Sequence, residues 1–163
     1  MKKINLALLI MAALLVFISV PAKINFAEEE TMPISGTKKI LVAYFSHSGN
    51  TREIANQIHK ILGGNIFEIQ TVKPYPNDYN AVVNQARQEL DSDYKPALKT
   101  KIENIKPYDL VFIGYPVWWG TFPAPVKTFL SEYDFSGKTI APFCTHEGSG
   151  LGRSATFTSR VRN

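Results

Sequence analysis

Residues 40–51 read Ile-Leu-Val-Ala-Tyr-Phe-Ser-His-Ser-Gly-Asn-Thr, a continuous apolar run followed at once by small polar residues and one glycine. The run Ile40–Phe45 is β-prone and lacks alternation, as is typical of a strand that helices cover on both faces. Apolar residues then recur at the 3.6-residue spacing of a helix, at Ile54, Ala55, Ile58, Ile61 and Leu62. Gly63 and Gly64 end this helix as a glycine C-cap. A buried strand, a short loop and an amphipathic helix in this order predict an α/β fold.

The alternation of strand and helix continues along the chain. Residues 66–72 form a weaker second strand, and Asn77 can cap a second helix. One face of this helix carries Tyr79, Val82, Val83, Ala86 and Leu90. The polar residues 91–106 are predicted to be a loop, and residues 109–114 form the clearest later strand.

A third helix and a fourth strand complete the pattern. Pro123 and Pro125 suit the first turn of a helix. Its buried face is predicted to hold Val126, Phe129, Leu130 and Tyr133. Residues 139–144 form the last strand, in which Pro142 argues against a central position. Strands that alternate with helices indicate a parallel sheet, and ligands of such sheets bind beyond the carboxyl ends of the strands.

The N-terminal segment has the order of a secretory signal peptide, which is basic, then apolar, then small. This order is carried by Lys2, Lys3, the run 6–20, Ala22 and Ala27. We therefore expect residues 1–27 to be a signal peptide, residues 28–37 a linker and residues 38–163 the folded domain of an exported protein. The apolar run is shorter than the about 20 residues that span a bilayer, so a retained membrane anchor is the lesser alternative.

The composition excludes several kinds of function. Cys144 is the single cysteine, which excludes an internal disulfide and a multi-cysteine metal site. His47, His59 and His146 lack a metal-like spacing, so no metal is expected. The net charge of +4 belongs mostly to residues 1–27, and the remainder holds 15 basic and 14 acidic residues. A nearly neutral domain gives no indication of a nucleic-acid partner.

The loop after the first strand has the composition of an anion site. It consists of Ser46, His47, Ser48, Gly49, Asn50 and Thr51. It lies at the start of a helix, where free N–H groups and the helix dipole attract an anion. The hydroxyls add donors and Gly49 lets the backbone approach closely, but the lysine of a nucleoside-triphosphate loop is absent. The loop suits one terminal phosphate held by neutral donors, and the alternative is an ordinary serine-rich N-cap.

The loops after the third and fourth strands add an aromatic wall and a glycine-rich rim. The former consists of Pro116, Val117, Trp118, Trp119 and Gly120, and the latter of Thr145, His146, Glu147, Gly148, Ser149 and Gly150. Two adjacent tryptophans at a strand end either cover the core or form a wall on which a planar ring stacks. Glycines allow backbone amides to approach a ligand. A phosphate joined to a flat ring system fits all three loops.

These three loops resemble the FMN-binding loops of flavodoxin-like proteins, and the resemblance extends over residues 38–154. It implies FMN as cofactor and a three-layer α/β sandwich with a parallel sheet of order 2-1-3-4-5. By this resemblance, the first loop would hold the FMN phosphate, with the backbone N–H of His47 serving better than its ring. Residues 116–120 would line the isoalloxazine ring, with Trp118 or Trp119 stacked on a face. Residues 145–150 would contact the ribityl chain and the pyrimidine edge.

The chain departs from the family pattern in two places. The third loop offers His146 where many flavodoxins place a second aromatic residue, so one face of the ring would be more open. After Ser154 the chain reaches Asn163 without room for the family's fifth strand and last two helices. We therefore expect a truncated domain in which the fourth strand is an open edge and one sheet face lacks its last helix.

The sequence leaves three functions open. The first is an FMN-dependent electron carrier that serves a redox partner protein or a small-molecule electron acceptor. The second is an FMN-dependent quinone reductase or other reductase on the same fold. The third is a truncated remnant that no longer binds flavin. The sequence favours the electron carrier, in which the cofactor does the chemistry and no side chain need act as an acid or a base.

Overall fold

Strands and helices alternate along residues 38–156, the part of the chain that the computed structural model describes. In chain order the elements are β1 Ile40–Tyr44, α1 Asn50–Leu62, β2 Asn65–Glu68, α2 Tyr79–Asp91, β3 Leu110–Pro116, α3 Ala124–Glu132 and β4 Thr139–Thr145. A 3-10 turn, Gly152–Thr156, follows β4. The predicted signal peptide and linker lie outside the described residues. Within residues 38–156, no helix is long and apolar enough to cross a bilayer.

The four strands form one parallel sheet in the order β2-β1-β3-β4. In the centre of the sheet, Val42 pairs with Ile66 on one side and with Phe112 on the other. This order confirms the α/β class and the 2-1-3-4 part of the predicted sheet. Within the described residues β4 pairs with β3 alone, so it is the edge strand of this part of the sheet. Pro142 lies in this edge strand, where a proline is tolerated.

The larger core lies between one face of the sheet and helices α2 and α3. Side chains alternate along a strand, so every second strand residue points toward these helices. The core includes Leu41, Ala43, Val111, Ile113 and Tyr115 from the strands, and Val82, Val126 and Phe129 from the helices. The predicted burial of Val126 and Phe129 is confirmed, whereas Leu130 and Tyr133 are only partly buried against the same cluster.

The opposite face of the sheet is covered less completely. Val42 and Tyr44 pack there against Ala55 of α1. The apolar face predicted for α1 is only partly buried, and its exposed members are Ile54, Ile61 and Leu62, at 38%, 79% and 48% of their surface. Among the described residues, α1 is the helix that packs on this face.

The second strand is shorter than the sequence predicts. The parallel pairing of β2 with β1 ends at Glu68 instead of continuing to Val72. The chain then leaves the sheet, and Thr71 makes an isolated antiparallel bridge to Leu98. This bridge depends on a residue in the long polar loop before β3, which local strand propensity does not reveal.

Helix α2 begins one residue later than the sequence predicts. Asp78 and not Asn77 is its N-cap, and the Asp78 carboxylate accepts a hydrogen bond from the Ala81 N–H at 2.8 Å. Tyr79 therefore lies in the first turn, where it is 71% exposed and contributes nothing to the buried face. Asp and Asn cap helices about equally well, so the path of the backbone decides between two adjacent candidates.

Three buried tyrosines predict a loss of stability at high pH. Tyr44, Tyr75 and Tyr115 are at most 9% exposed, and burial is the main cause that raises the pKa of each phenol above 10.0. The folded state keeps protons that the unfolded state releases, so the free energy of unfolding should fall above about pH 10. Urea unfolding at a series of pH values measures this. Ionisation of all seven tyrosines in the folded protein, seen as tyrosinate absorbance before unfolding, would contradict it.

Candidate functional site

The three predicted loops meet at the carboxyl edge of the sheet. The hydroxyls of Thr51 and Thr145 are hydrogen-bonded at 2.9 Å, which joins the first loop to the third. The Val117 N–H donates to the Thr145 carbonyl oxygen at 2.8 Å, which joins the second loop to the third. The Arg153 N–H donates to the Gly120 carbonyl oxygen at 2.7 Å, which joins the segment after the third loop to the end of the second loop. The structure therefore brings together the residues that the sequence predicts as one site.

The first loop enters α1 through a glycine with a left-handed backbone. Gly49 is the N-cap of α1 with φ +96°, and its N–H donates to Ser46 Oγ at 3.2 Å. No side chain caps the helix, and the Gly49 carbonyl oxygen accepts a hydrogen bond from the Glu53 N–H at 3.0 Å. The N–H groups between these two residues have no intrahelical acceptor. They lie next to the exposed Ser48 and Asn50, and this arrangement suits an anion.

Two side chains of the first loop bind protein groups. Thr51 is 1% exposed and its hydroxyl is engaged with Thr145. The Nε2–H of His47 donates to the Pro76 carbonyl oxygen at 3.0 Å, and the imidazole meets the Trp118 ring edge-on at a centroid distance of 5.9 Å. The imidazole of His47 therefore supports the loop, which leaves its backbone N–H as the group suited to a ligand.

The adjacent tryptophans of the second loop have different surroundings. Trp118 is partly buried, and its ring meets the Phe45 ring edge-on at a centroid distance of 5.6 Å. Trp119 is 46% exposed and has φ +50°. Its indole N–H donates to the Val83 carbonyl oxygen at 3.0 Å, and the Arg87 guanidinium lies 5.1 Å from the ring centroid. Trp118 thus belongs to the edge of the core, whereas Trp119 lies at the surface and is tied to α2.

This difference predicts contrasting effects of alanine at the two tryptophans. Trp118→Ala should lower the free energy of unfolding by about 2–3 kcal/mol, because it removes aromatic packing at the edge of the core. Trp119→Ala should change it by less than about 1 kcal/mol, because the ring is exposed. Urea unfolding of the two variants beside the parent chain measures both values. Equal losses for the two variants would show that the rings do not differ in this way.

One histidine organises the third loop. His146 Nδ1 accepts hydrogen bonds from the N–H groups of Gly148 at 3.0 Å and Gly150 at 3.2 Å. The sequence predicts that such amides approach a ligand, but in the structure their acceptor is His146. A further glycine, Gly152, packs against the second loop, since a Cβ there would lie 2.5 Å from the Gly120 carbonyl oxygen. The exposed residues of the third loop are His146, Glu147, Gly148 and Ser149.

The charged residues next to the first loop are paired with protein groups. Arg52 forms an ion pair with Glu68 at 2.6 Å, and this hydrogen-bonded contact raises the pKa of the Arg52 guanidinium. Glu53 accepts a hydrogen bond from the Gln57 amide at 3.1 Å. The loop itself contains no acid, so a phosphate placed there would meet neutral donors. Residues 38–156 contain no group of three His, Cys, Asp or Glu side chains suited to a metal ion.

Comparison with known proteins places the chain in a family. The flavodoxin family model matches residues 39–160. The chain belongs to the flavodoxin family. A Bacteroides eggerthii protein assigned as a flavoprotein has a similar structure, with a TM-score of 0.69 and 40% identity over 75% of this chain and 79% of that one. A Lactobacillus acidophilus flavoprotein in complex with FMN has the same fold, with a TM-score of 0.66 and 24% identity over 77% of this chain and 87% of that one.

Two curated relatives match a smaller part of this flavodoxin-family chain. A flavodoxin of Haemophilus influenzae is 29% identical over 104 residues, which are 61% of this chain and 45% of the relative. The Escherichia coli protein named uncharacterized NAD(P)H oxidoreductase YcaK is 23% identical over 94 residues, which are 55% of this chain and 48% of the relative. The chain thus spans about half the length of the curated relatives it matches.

The sequence does not single out two residues that support the loops of this flavodoxin-family chain. The Tyr75 hydroxyl donates to Glu89 Oε2 at 2.5 Å, and the Gln85 amide donates to Glu89 Oε1 at 2.8 Å. Glu89 is 7% exposed, and the Tyr75 ring meets the Trp118 ring edge-on at 5.1 Å. Burial, followed by the hydrogen bond to Glu89, raises the pKa of Tyr75, so the phenol keeps its proton and remains a donor. The sequence did contain a signal for the burial of Glu89, because it follows Val82 by two helical turns and so lies on the buried face of α2.

Proposed function

We propose that the chain binds FMN at the three joined loops and carries electrons to or from a redox partner. The observation that carries this proposal is the hydrogen-bonded junction of the loops, through Thr51 and Thr145 on one side and Arg153 and Gly120 on the other. A fixed edge of this kind holds an anion site and an aromatic wall at a constant separation, as a flat cofactor with a phosphate requires. Membership of the flavodoxin family supports the same cofactor.

The first loop fits the phosphate of FMN. The N–H groups at the start of α1 and the exposed side chains of Ser48 and Asn50 form a donor set, and the acid in the first turn of α1, Glu53, is hydrogen-bonded to Gln57. Gly49 keeps the backbone open toward the ligand, because no protein atom lies within 4 Å of where its Cβ would be. Thr51 would act through its backbone N–H, since its hydroxyl is engaged with Thr145.

The second and third loops would hold the isoalloxazine and the ribityl chain. Trp119 offers an exposed indole, and Trp118 anchors the same loop to the core. Residues 145–150 form the opposite rim. FMN supplies the redox chemistry when bound. The residues of this chain bind the cofactor, orient it and shield part of it from water.

The carrier function is tested with flavin-loaded protein under anaerobic conditions. A carrier should take electrons from a chemical reductant and pass them to a second redox protein in stoichiometric amounts. It should not sustain the oxidation of NADH or NADPH when a quinone is present. Steady-state turnover of a nicotinamide cofactor with a quinone would contradict a simple carrier.

A reductase is the second candidate, and the third loop is the feature that favours it. His146 is exposed and lies where the resemblance leads one to expect a second aromatic residue, so one face of the ring would be open to a substrate. One curated relative is also named an NAD(P)H oxidoreductase. Saturable turnover with both a nicotinamide cofactor and a quinone would support this function, and a rate no higher than that of free FMN would exclude it.

We propose in addition that residues 1–27 direct export of the domain. The support is the basic, apolar and small order of that segment. Fractionation of the producing cells, followed by N-terminal sequencing, tests it. Protein that begins after residue 20 in the exported fraction is the expected result. An intact N-terminus in the membrane fraction would indicate an anchor, and an intact cytoplasmic protein would contradict export.

A further inference from the structure

In the third loop, two glycine N–H groups donate hydrogen bonds to the same ring nitrogen of a histidine. The N–H groups of Gly148 and Gly150 both point at His146 Nδ1, at 3.0 and 3.2 Å. A nitrogen that accepts two hydrogen bonds carries no proton of its own. The neutral imidazole of His146 therefore has its proton on Nε2, and the tautomer is set by the loop backbone.

The hydrogen bonds to His146 matter for the third loop because its glycine backbones have a wide conformational freedom that must be lost when the loop is ordered. Gly148 has φ +93° and Gly150 has φ +64°, backbone conformations in which glycine loses much entropy on ordering. The two ends of the loop are held by other hydrogen bonds. Thr145 is bonded to the Thr51 hydroxyl at one end, and the Arg153 N–H donates to the Gly120 carbonyl oxygen at the other. Between these two anchors, His146 binds the amides of the exposed middle of the loop.

We infer that His146 is a positioning residue, whose Nδ1 fixes the conformation of the third loop that FMN binding requires. This inference rests on the proposed FMN site. Its consequence is that, in the free protein, the Gly148 and Gly150 amides are bound within the loop itself. The loop would then offer FMN its outward-facing groups in a fixed arrangement, at a smaller entropic cost on binding.

Asparagine and alanine at position 146 separate the acceptor from the rest of the ring. Asn Oδ1 lies at the same side-chain position as His Nδ1 and accepts hydrogen bonds, whereas alanine has no acceptor. His146→Ala should weaken FMN binding by roughly tenfold or more and speed hydrogen exchange at the Gly148 and Gly150 amides. His146→Asn should stay within about threefold of the parent chain in both measurements.

The full chain is used for each variant, and FMN affinity is measured by quenching of flavin fluorescence. Urea midpoints equal to that of the parent chain show that the variants are folded. An alanine variant with parental FMN affinity and parental amide exchange would overturn the inference. An asparagine variant as weak as alanine would also overturn it, because the acceptor would then not be the relevant group.

The free protein provides a readout that does not depend on FMN. Nitrogen-15 spectra of the imidazole should show the tautomer with the proton on Nε2 in the parent chain, and a proton on Nδ1 would contradict the inference. If the parent chain fails to bind FMN, the proposed function fails. The exchange of the Gly148 and Gly150 amides would still decide whether His146 fixes the loop.

Discussion

Gly114→Ala is expected to lower the free energy of unfolding by about 1–3 kcal/mol, because it overpacks the side of the sheet that α1 covers only in part. A Cβ at Gly114 would lie 2.1 Å from Phe143 Cζ, and two further ring atoms lie within 2.8 Å. Gly114 and Phe143 are register partners on β3 and β4, so the phenyl ring has to rotate away from the added methyl group, because separating the strands would break ladder hydrogen bonds. Urea unfolding of the variant and the parent chain measures the difference.

The Phe143→Ala background is the matched control for this prediction. If the phenyl ring is the obstacle, Gly114→Ala should cost less than about 1 kcal/mol once the ring is absent, since alanine itself is tolerated in a strand. The double-mutant cycle therefore isolates the contact between the two residues. An equal cost in both backgrounds would show that the glycine is required for another reason.

Gly49→Val is expected to weaken FMN binding by at least about 100-fold, because two or more hydrogen bonds to a charged phosphate would be misdirected. Gly49 has φ +96°, which a β-branched residue does not adopt without strain. Its Cβ would meet no atom within 4 Å, so the effect comes from the backbone and not from a clash. The strain is relieved when the loop moves, and the N–H groups at the start of α1 then lose their orientation. Titration of FMN by fluorescence quenching measures the change.

Gly63→Val is the control for strain at the other end of the same helix. Gly63 has φ +69° and likewise meets nothing within 4 Å of an added Cβ. As the C-cap of α1 it lies at the end remote from the first loop. Gly63→Val should reduce stability and leave FMN affinity within about threefold of the parent chain. Equal loss of FMN affinity in both variants would mean that general destabilisation, and not the first loop, explains the result.

The fold follows closely from the sequence wherever local pattern and topology agree. The apolar runs at β1 and β3 and the glycine end of α1 predict elements that the structure contains. The end of β2 could not be predicted from the sequence, because Thr71 pairs with Leu98 in a distant loop instead of continuing the strand. The sequence also could not choose between Asn77 and Asp78 as the cap of α2, since asparagine and aspartate side chains can both accept the capping hydrogen bond, which Asp78 accepts in the structure.

The meeting of the three loops was predictable because the carboxyl ends of parallel strands share one edge of the sheet. The individual hydrogen bonds were not predictable. Thr51 and Thr145 are 94 residues apart, and nothing in either segment indicates that the two hydroxyls bind each other. The different surroundings of Trp118 and Trp119 likewise depend on α2, which supplies the Val83 carbonyl oxygen to one indole.

The most direct test of the FMN site is a titration of FMN with the purified full chain, followed by quenching of flavin fluorescence. We expect saturable quenching at one FMN per chain, with a Kd below about 1 µM. Flavin that stays fully fluorescent in the presence of excess chain would show that the three loops do not bind FMN. If that chain also unfolds cooperatively in urea, the result would identify it as a folded domain that does not bind flavin.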